Sequence, residues 1–228
     1  MPHTIRPIAT AHSPYKQKFG IARQPGLVPA AEVCIELNRE FTADSVRGLA
    51  DFDYVWISFI FHDAIEEGWA QMVRPPRLGG RRKMGIFATR SPHRPNHLGL
   101  SLLKLERIES GKTVKLYCSG ADLLDGTPVI DIKPYIPFVE AKPDARAGFV
   151  SGKPDELHII WADNTGAGLS AGERDLIGQS IAQDPRPAYQ DIPERVYVMN
   201  VSDYEVKFQI QDNTAKIIAV GRAGQGLP

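Results

Sequence analysis

The chain has 228 residues, 43% hydrophobic and 24% charged, with 27 Lys plus Arg balanced by 27 Asp plus Glu. That length accommodates one sizeable core and a smaller second domain, and the composition excludes the disordered and fibrous classes. Two cysteines, Cys34 and Cys118, rule out a disulfide scaffold, and no stretch has the apolar length of a signal-peptide core or a membrane span, so a soluble cytoplasmic protein is expected.

The first two-thirds of the chain reads as strands separated by long loops rich in proline and glycine. Thr4 to Ile8 is a short candidate strand, and Ser13-Pro14-Tyr15 then opens a loop that runs through Arg23-Gln24-Pro25-Gly26. Val33 to Leu37 alternates Val33, Ile35 and Leu37 against Glu32, Cys34 and Glu36, the pattern of a half-buried strand. Thr42 to Leu49 predicts a short helix capped by Thr42. Tyr54 to Phe61 is apolar at nearly every position and rich in aromatic and β-branched residues, which predicts a strand buried on both faces and ending at the polar pair His62-Asp63. Met84 to Thr89, Leu100 to Ile108, Thr113 to Cys118 and Val129 to Ile132 are further strand candidates. Short strands without alternating long helices favour a β-barrel or curled sheet over a doubly wound parallel sheet. Both cysteines read as small buried apolar residues.

Proline, glycine and charge between about Ala141 and Glu156 mark a linker. Ser170-Ala171-Gly172-Glu173 then has capping-box spacing, so a helix is expected from Ala171 to about Gln183, stopped by Asp184-Pro185-Arg186-Pro187. Val196 to Val201, Glu205 to Gln211 and Lys216 to Val220 complete a small α+β tail, with Val206, Phe208 and Ile210 on one face of its middle strand.

The neutral total hides a segregation. From Arg74 to Arg107, nine basic residues (Arg74, Arg77, Arg81, Arg82, Lys83, Arg90, Arg94, Lys104 and Arg107) face one acid, Glu106, a local charge of +8; the rest of the chain, 18 basic against 26 acidic, carries −8. Arginine forks on proline-kinked loops suit phosphate and RNA contact, although a basic stretch is also what a solvated face looks like.

Familiar catalytic motifs are missing. Gly221 to Gly226 has no helix after it and cannot open a dinucleotide fold, and Leu78-Gly79-Gly80 lacks the ending of a phosphate loop. His93 and His97 are four apart, but Pro95 breaks the helix that would give this spacing meaning, and no metal site is expected. Two segments carry polar groups on fixed kinks. Phe87 to Ser101 combines arginines, hydroxyls and an amide, and Ala121 to Tyr135 supplies Asp122, Asp125, Asp131, Lys133 and Tyr135. Asp125-Gly126 also reads as an ordinary turn whose acid satisfies backbone donors.

These segments resemble the TsaA-like, or TrmO, family of tRNA methyltransferases. The resemblance is carried by Arg23-Gln24-Pro25-Gly26-Leu27, Trp56 to His62, Val73 to Gly80, Gly85 to Ser101, Asp125 to Pro137, and Asp184 to Tyr189, in order over most of the chain. It implies a mainly β protein: a single-sheet, non-Rossmann β-barrel over residues 1–142 that binds S-adenosylmethionine, a linker at 143–156, and a small α+β domain at 157–228 assisting tRNA recognition. It further implies a homodimer and methylation of N6 on threonylcarbamoyladenosine 37 in the anticodon loop. Cofactor contacts are implied at Gln24, Pro25, Gly26, His62, Asp63, Arg90, Leu100, Ala121, Asp122, Leu123 and Leu124. The N6 carbonyl of such a substrate withdraws the nitrogen lone pair, so a base that removes the N–H proton would restore its nucleophilicity; His62, Asp122 and Asp131 are the candidates. Arg74, Arg77, Arg81, Arg82, Lys83, Arg94, Lys133 and Arg186 are candidates for RNA phosphates, and Tyr135 and Tyr189 either stack on a base or pack in the core. Two other functions remain open on the residues alone: a non-catalytic adenosylmethionine or nucleotide sensor, and an amide or phosphoester hydrolase using Asp125 and Asp131 with a divalent metal.

Overall fold

The computed structural model describes residues 3–150, 152–187, 192 and 194–225. In chain order the strands are β1 (Ala9–His12), β2 (Val33–Leu37), β3 (Tyr54–Ile60), β4 (Met72–Val73), β5 (Met84–Gly85), β6 (Leu98–Ser110), β7 (Val114–Ser119), β8 (Thr127–Pro134), β9 (His158–Trp161), β10 (Val196–Val201), β11 (Tyr204–Gln211) and β12 (Thr214–Arg222). The helices are the single turn α1 (Pro137–Glu140) and α2 (Ala171–Ala182). No described helix is long and apolar enough to cross a membrane.

Six strands close a barrel in the order β1-β2-β7-β6-β3-β8, with β8 returning to β1, and every pairing is antiparallel. The expected mainly β barrel with a small α+β tail is thus the observed architecture. The alternation expected in β2 is present: Val33, Ile35 and Leu37 are buried, and Val33 and Ile35 lie opposite Cys118 and Leu116 of β7. Cys118 is buried and its thiol is pushed up to about 12 by that burial, with nearby acids adding to it. It packs as an inert apolar residue.

Four local expectations are corrected. The first strand falls on Ala9–His12 rather than Thr4 to Ile8. Thr42 does cap a turn, accepting from the Asp44 amide, but two short 3-10 turns separated by Arg47 and Gly48 replace the helix. β3 is not buried on both faces: Val55, Ile57 and Phe59 fill the barrel, while Tyr54 is exposed and Trp56 is half-buried under the ring of Tyr135, their centroids 6.2 Å apart. Met84 to Thr89 yields only the two residues of β5, paired with β4, followed by a 3-10 turn.

The tail is a four-stranded sheet in the order β10-β11-β12-β9, with β9, an unexpected strand, running parallel to β12. Val206, Phe208 and Ile210 are fully buried on one face of β11, as the alternation predicts. α2 begins at the expected capping box: Glu173 N donates to Ser170 Oγ (3.3 Å) and Ser170 N to Glu173 Oε2 (2.8 Å). Its buried Ile177 and Ile181 close the tail's core.

Topology then does something that strand prediction does not. The register places three long connections, residues 13–32, 61–97 and 120–126, at one end of the barrel. Turns carrying no predicted site residue, including 111–113, lie at the other.

Candidate functional site at the barrel mouth

The inner face of β6 becomes small and polar towards that end. Leu103 packs opposite Val55, Ser101 opposite Ile57, and Gly99 opposite Phe59. A buried hydroxyl at an inward position needs a partner. Ser101 Oγ donates to Asp122 Oδ1 at 2.6 Å, drawing the 120–126 loop over the opening. The loop is tied to the Gln24-Pro25-Gly26 turn by Gly26 N donating to Gly120 O (2.8 Å). Gly120 has φ +75°, and a Cβ there would sit 3.0 Å from the Gly26 Cα, so the two turns touch through bare backbone. From the third loop Arg90 Nη1 donates to Gln24 Oε1 at 2.7 Å. Gln24, Gly26, Arg90 and Asp122, predicted on three separate segments, therefore form one connected group.

Burial pushes the Asp122 carboxyl up to about 6; the Ser101 hydroxyl, its own backbone N–H and the Arg90 charge pull the other way without cancelling it. Desolvation outweighs three stabilising contacts, as expected of a carboxylate held away from bulk water. The phenol of Tyr15, pushed up to about 12 by burial and further raised by the Asp122 charge, meets Ser180 Oγ of α2 at 3.1 Å.

The three candidate bases are placed differently. His62 lies half-buried in a 3-10 turn directly after β3. Asp131 is on the outer face of the barrel, opposite Ser58, which lies opposite exposed Leu100, and is ion-paired to Lys133. Asp122 alone of the three touches the Gln24–Arg90 group through its loop. Asp63, beside His62, is held by Lys18, whose ammonium lies 3.0 Å from the Asp63 carboxylate and 2.6 Å from Glu67. Ala121 and Leu123 are fully buried, with Leu124 half-buried between Asp122 and the turn.

Asp125 accepts from Ser13 N (2.9 Å) and pairs with Lys16 (2.8 Å), which pins the start of the 13–32 loop. The carboxylates of the hydrolase reading, Asp125 and Asp131, are thus each occupied by a lysine, one at the loop end and one outside the barrel.

The basic stretch divides into parts. Lys104 is neutralised by Glu106 and Arg107 by Glu109, both on β6, with Glu32 just ahead of β2 also pairing with Arg107. Arg94 spends its guanidinium on the carbonyls of Thr89 (2.7 Å) and Ile86 (3.4 Å). Arg74, Arg77, Arg81, Arg82 and Lys83 are exposed on the loop joining β4 to β5; Arg77 donates to Gly152 O, and none of the five has an ion pair among the described residues. Arg186 is largely buried and forked onto Asp184 through Nε and Nη2, both at 2.9 Å. Tyr135 sits half-buried in a cluster with Tyr54 and Trp56. Tyr189 lies outside the described residues.

Sequence reasoning missed the roles of Ser101, Lys18 and Tyr15. Ser101 had a signal, a hydroxyl interrupting the inward apolar positions of its strand. Lys18 had none, because Asp63 is 45 residues away.

The tail reaches this end of the barrel as well. Gln179 Oε1 accepts from Ala30 N (3.0 Å), Gln183 donates to Leu27 O (3.3 Å), Ser202 N donates to Pro14 O (2.6 Å), and Phe19 stacks against the Tyr197–Phe208 pair at 6.4 and 6.5 Å. The loop that carries Gln24 is therefore held on one side by the barrel and on the other by the tail.

A family model described as the tRNA-methyltransferase O N-terminal domain matches residues 10–141, and one for the TrmO C-terminal domain matches residues 154–223. An Eikenella corrodens protein named tRNA (adenine(37)-N6)-methyltransferase is 62% identical over 170 residues, covering 74% of this chain and 97% of its own length. An Escherichia coli protein of the same name is 42% identical over 224 residues, covering 93% and 95%. A crystal structure of TrmO from Pseudomonas aeruginosa matches with a TM-score of 0.81 at 35% identity, over 97% of this chain and 99% of that one. Matched through both its barrel and its tail, the chain belongs to the TrmO family.

Proposed function

We propose that the protein is an S-adenosylmethionine-dependent tRNA methyltransferase acting on N6 of adenosine 37, and that its substrate is the threonylcarbamoyl form of that base, converted to the N6-methyl derivative in the anticodon loop. The activity named for its relatives supports the first part. The observation that carries the reading is the desolvated Asp122 carboxyl beside the Arg90–Gln24 pair at the mouth where all three loops meet.

The donor set suits the cofactor. S-adenosylmethionine presents a carboxylate, a ribose diol and a sulfonium cation, and when bound it supplies an electrophilic methyl group. Arg90 offers a guanidinium for the carboxylate, Asp122 a carboxylate for the cation or the diol, and the backbone beside Gly26 is open, since a Cβ there would meet nothing within 4 Å. His62 and Asp63 border the same space on this reading, with Pro25 and the Ala121 to Leu124 turn completing the contacts, whereas the side chain of Leu100 is exposed on the outer wall. Ser101 fixes Asp122 Oδ1, leaving Oδ2 to take the N6 proton as the nitrogen is alkylated. An unpaired anticodon-loop base is splayed out at little cost, and the exposed arginines between β4 and β5 would grip the adjoining phosphates. Residues 1–142 carry the chemistry, 143–156 link, and 157–228 assist tRNA recognition. The enzyme acts in the cytoplasm as a homodimer, for which the exposed Phe87, Leu100 and Phe138 offer apolar contact.

Incubation with methyl-labelled cofactor and tRNA, with and without the threonylcarbamoyl group, tests this reading. Label is expected in the modified tRNA alone. Equal labelling of both would reject the proposed substrate, and cofactor binding without transfer to either would favour a sensor. Arg90→Ala should raise the cofactor concentration needed for half-maximal transfer by about tenfold, the loss of one charge-assisted contact, with an unchanged melting profile. An unchanged requirement would remove Arg90 from the site. Arg81→Ala with Arg82→Ala should flatten the salt dependence of tRNA binding by about 1.5 in log-log slope, whatever the tRNA sequence. An unaltered slope would exclude this loop from phosphate contact.

A further inference from the structure

A cavity of about 350 Å³ opens between the 13–32 loop and the end of α2, lined among the described residues by Lys18, Phe19, Arg23, Ser180, Gln183 and Pro185. It adjoins the proposed cofactor contacts twice over, since Arg23 precedes Gln24 and Lys18 holds Asp63. Its volume lies in the range of small-ligand sites, about 300 to 1,000 Å³.

The polar groups around it are unequally used. Lys18 directs its ammonium at the Asp63 carbonyl, the Asp63 carboxylate and Glu67, and brings no spare charge. Arg23 uses only Nη2, which donates to the carbonyls of Asp184 (3.1 Å) and Arg186 (3.0 Å); its Nε and Nη1 donors have no partner among the described residues. Partial desolvation lowers the pKa of this guanidinium, with the Asp184 charge opposing; Arg23 nevertheless stays exposed at the rim of the cavity, a cation short of a counter-ion and open to a ligand. The Asp184 carboxylate is itself engaged by Arg186. Gln183, only 9% exposed, donates its amide nitrogen to Leu27 O and Glu156 Oε1, which settles the orientation of the amide and leaves Oε1 buried without a donor. A half-used guanidinium fork and an orphaned acceptor together call for a ligand bearing a carboxylate and a hydrogen-bond donor.

We propose that this cavity is the subsite for the amino-acid arm on N6 of the target adenosine, taking its carboxylate on Arg23 and its hydroxyl on Gln183 Oε1. This rests on the threonylcarbamoyl substrate proposed above. The arm projects from the nitrogen that is methylated, so its subsite must lie beside the mouth, and this cavity does. The tail domain then contributes to substrate choice through Ser180 and Gln183 at the end of α2.

The test uses the free nucleoside N6-threonylcarbamoyladenosine and its methyl ester as competitors of tRNA methylation by the full-length protein. Wild type should be inhibited by the acid at a concentration at least about tenfold lower than by the ester, the size of a charge-assisted contact. In Arg23→Gln the two should become equal within twofold, with cofactor binding measured alongside to report folding. Equal potency on wild type, or inhibition by neither while the modified tRNA is still methylated, overturns the subsite, as does an Arg23→Gln protein that keeps the tenfold preference. The wild-type comparison needs no variant, so a misfolded Arg23→Gln leaves the test standing. Failure to methylate modified tRNA at all would instead refute the proposed function, and the two failures are told apart by that assay.

Discussion

Asp122→Asn is expected to lose transfer and gain stability. The folded chain holds the Asp122 carboxyl at about 6, mainly because it is desolvated, whereas an unfolded Asp titrates near about 3.9. Below pH of about 4 both states carry the proton and the group costs nothing. As pH rises from there through about 6 the unfolded state gives up its proton more readily, and the fold loses stability until both are ionised. Allowing for the partial exposure of the residue, the loss at neutral pH is about 2 kcal/mol. Asn keeps an acceptor for Ser101 and carries no charge, so the variant should be more stable than wild type by about that amount at pH 8, with the difference gone by pH 4. Its turnover at saturating cofactor should fall by about a hundredfold or more, the usual worth of a positioned base. Wild-type turnover should rise with pH through about 6, and the limb should vanish in the variant. Denaturant unfolding at the two pH values and a pH–rate profile check both halves. A destabilised variant, or one within tenfold of wild-type turnover, would contradict the assignment.

Gly20→Ala is expected to cost about 3 kcal/mol, more than any surface substitution should. Gly20 has φ +97°, a conformation that strains an L-residue, and a Cβ there would lie 2.3 Å from Met199 Sδ and 2.8 Å from its Cγ. Overpacking of this kind costs about 1 to 3 kcal/mol, although methionine adapts better than most side chains. Met199→Ala in the same chain should remove the steric part and leave the backbone part, about 1 to 2 kcal/mol, which separates the two causes. Because Gly20 lies between Phe19, stacked on the tail, and the turn at Gln24, the substitution should also weaken cofactor binding by severalfold. A loss below about 1 kcal/mol in a urea melt would mean that the loop relaxes freely and is not clamped between the domains.

Much of the fold was legible in local pattern, and the exceptions have physical causes. Alternation gave away β2 and β11 because each has one face in a core and the other near water. The capping box at Ser170 worked because it is a contact between residues three apart. β3 misled because the outward side of Trp56 is covered by Tyr135 and by Glu140, which accepts from its indole N–H, so an apolar residue faces away from the barrel without facing open water. β9 left no trace, since four residues with no alternation become a strand only by pairing with β12 some 56 residues later. At the site, the resemblance supplied positions but not arrangement. Gln24, Arg90 and Asp122 were named on separate segments, and only barrel closure brings them together. By residue type alone Asp131 is equivalent to Asp122, yet strand register places it on the outer wall, paired with Lys133.

The way the barrel closes has a bearing on synthesis. The seam between β1 and β8 joins Ala9 to Val129 and Ala11 to Thr127, so no barrel exists until well over half of the chain has been made. Pairings of such separation place the domain among slowly folding topologies. The loop bearing Gln24 waits longer still, because its contacts at Asn200 and Ser202 arrive only with the tail. During translation the turn proposed to contact the cofactor is therefore among the last parts to be set, and an unfinished chain, even one with its barrel closed, should hold the cofactor poorly.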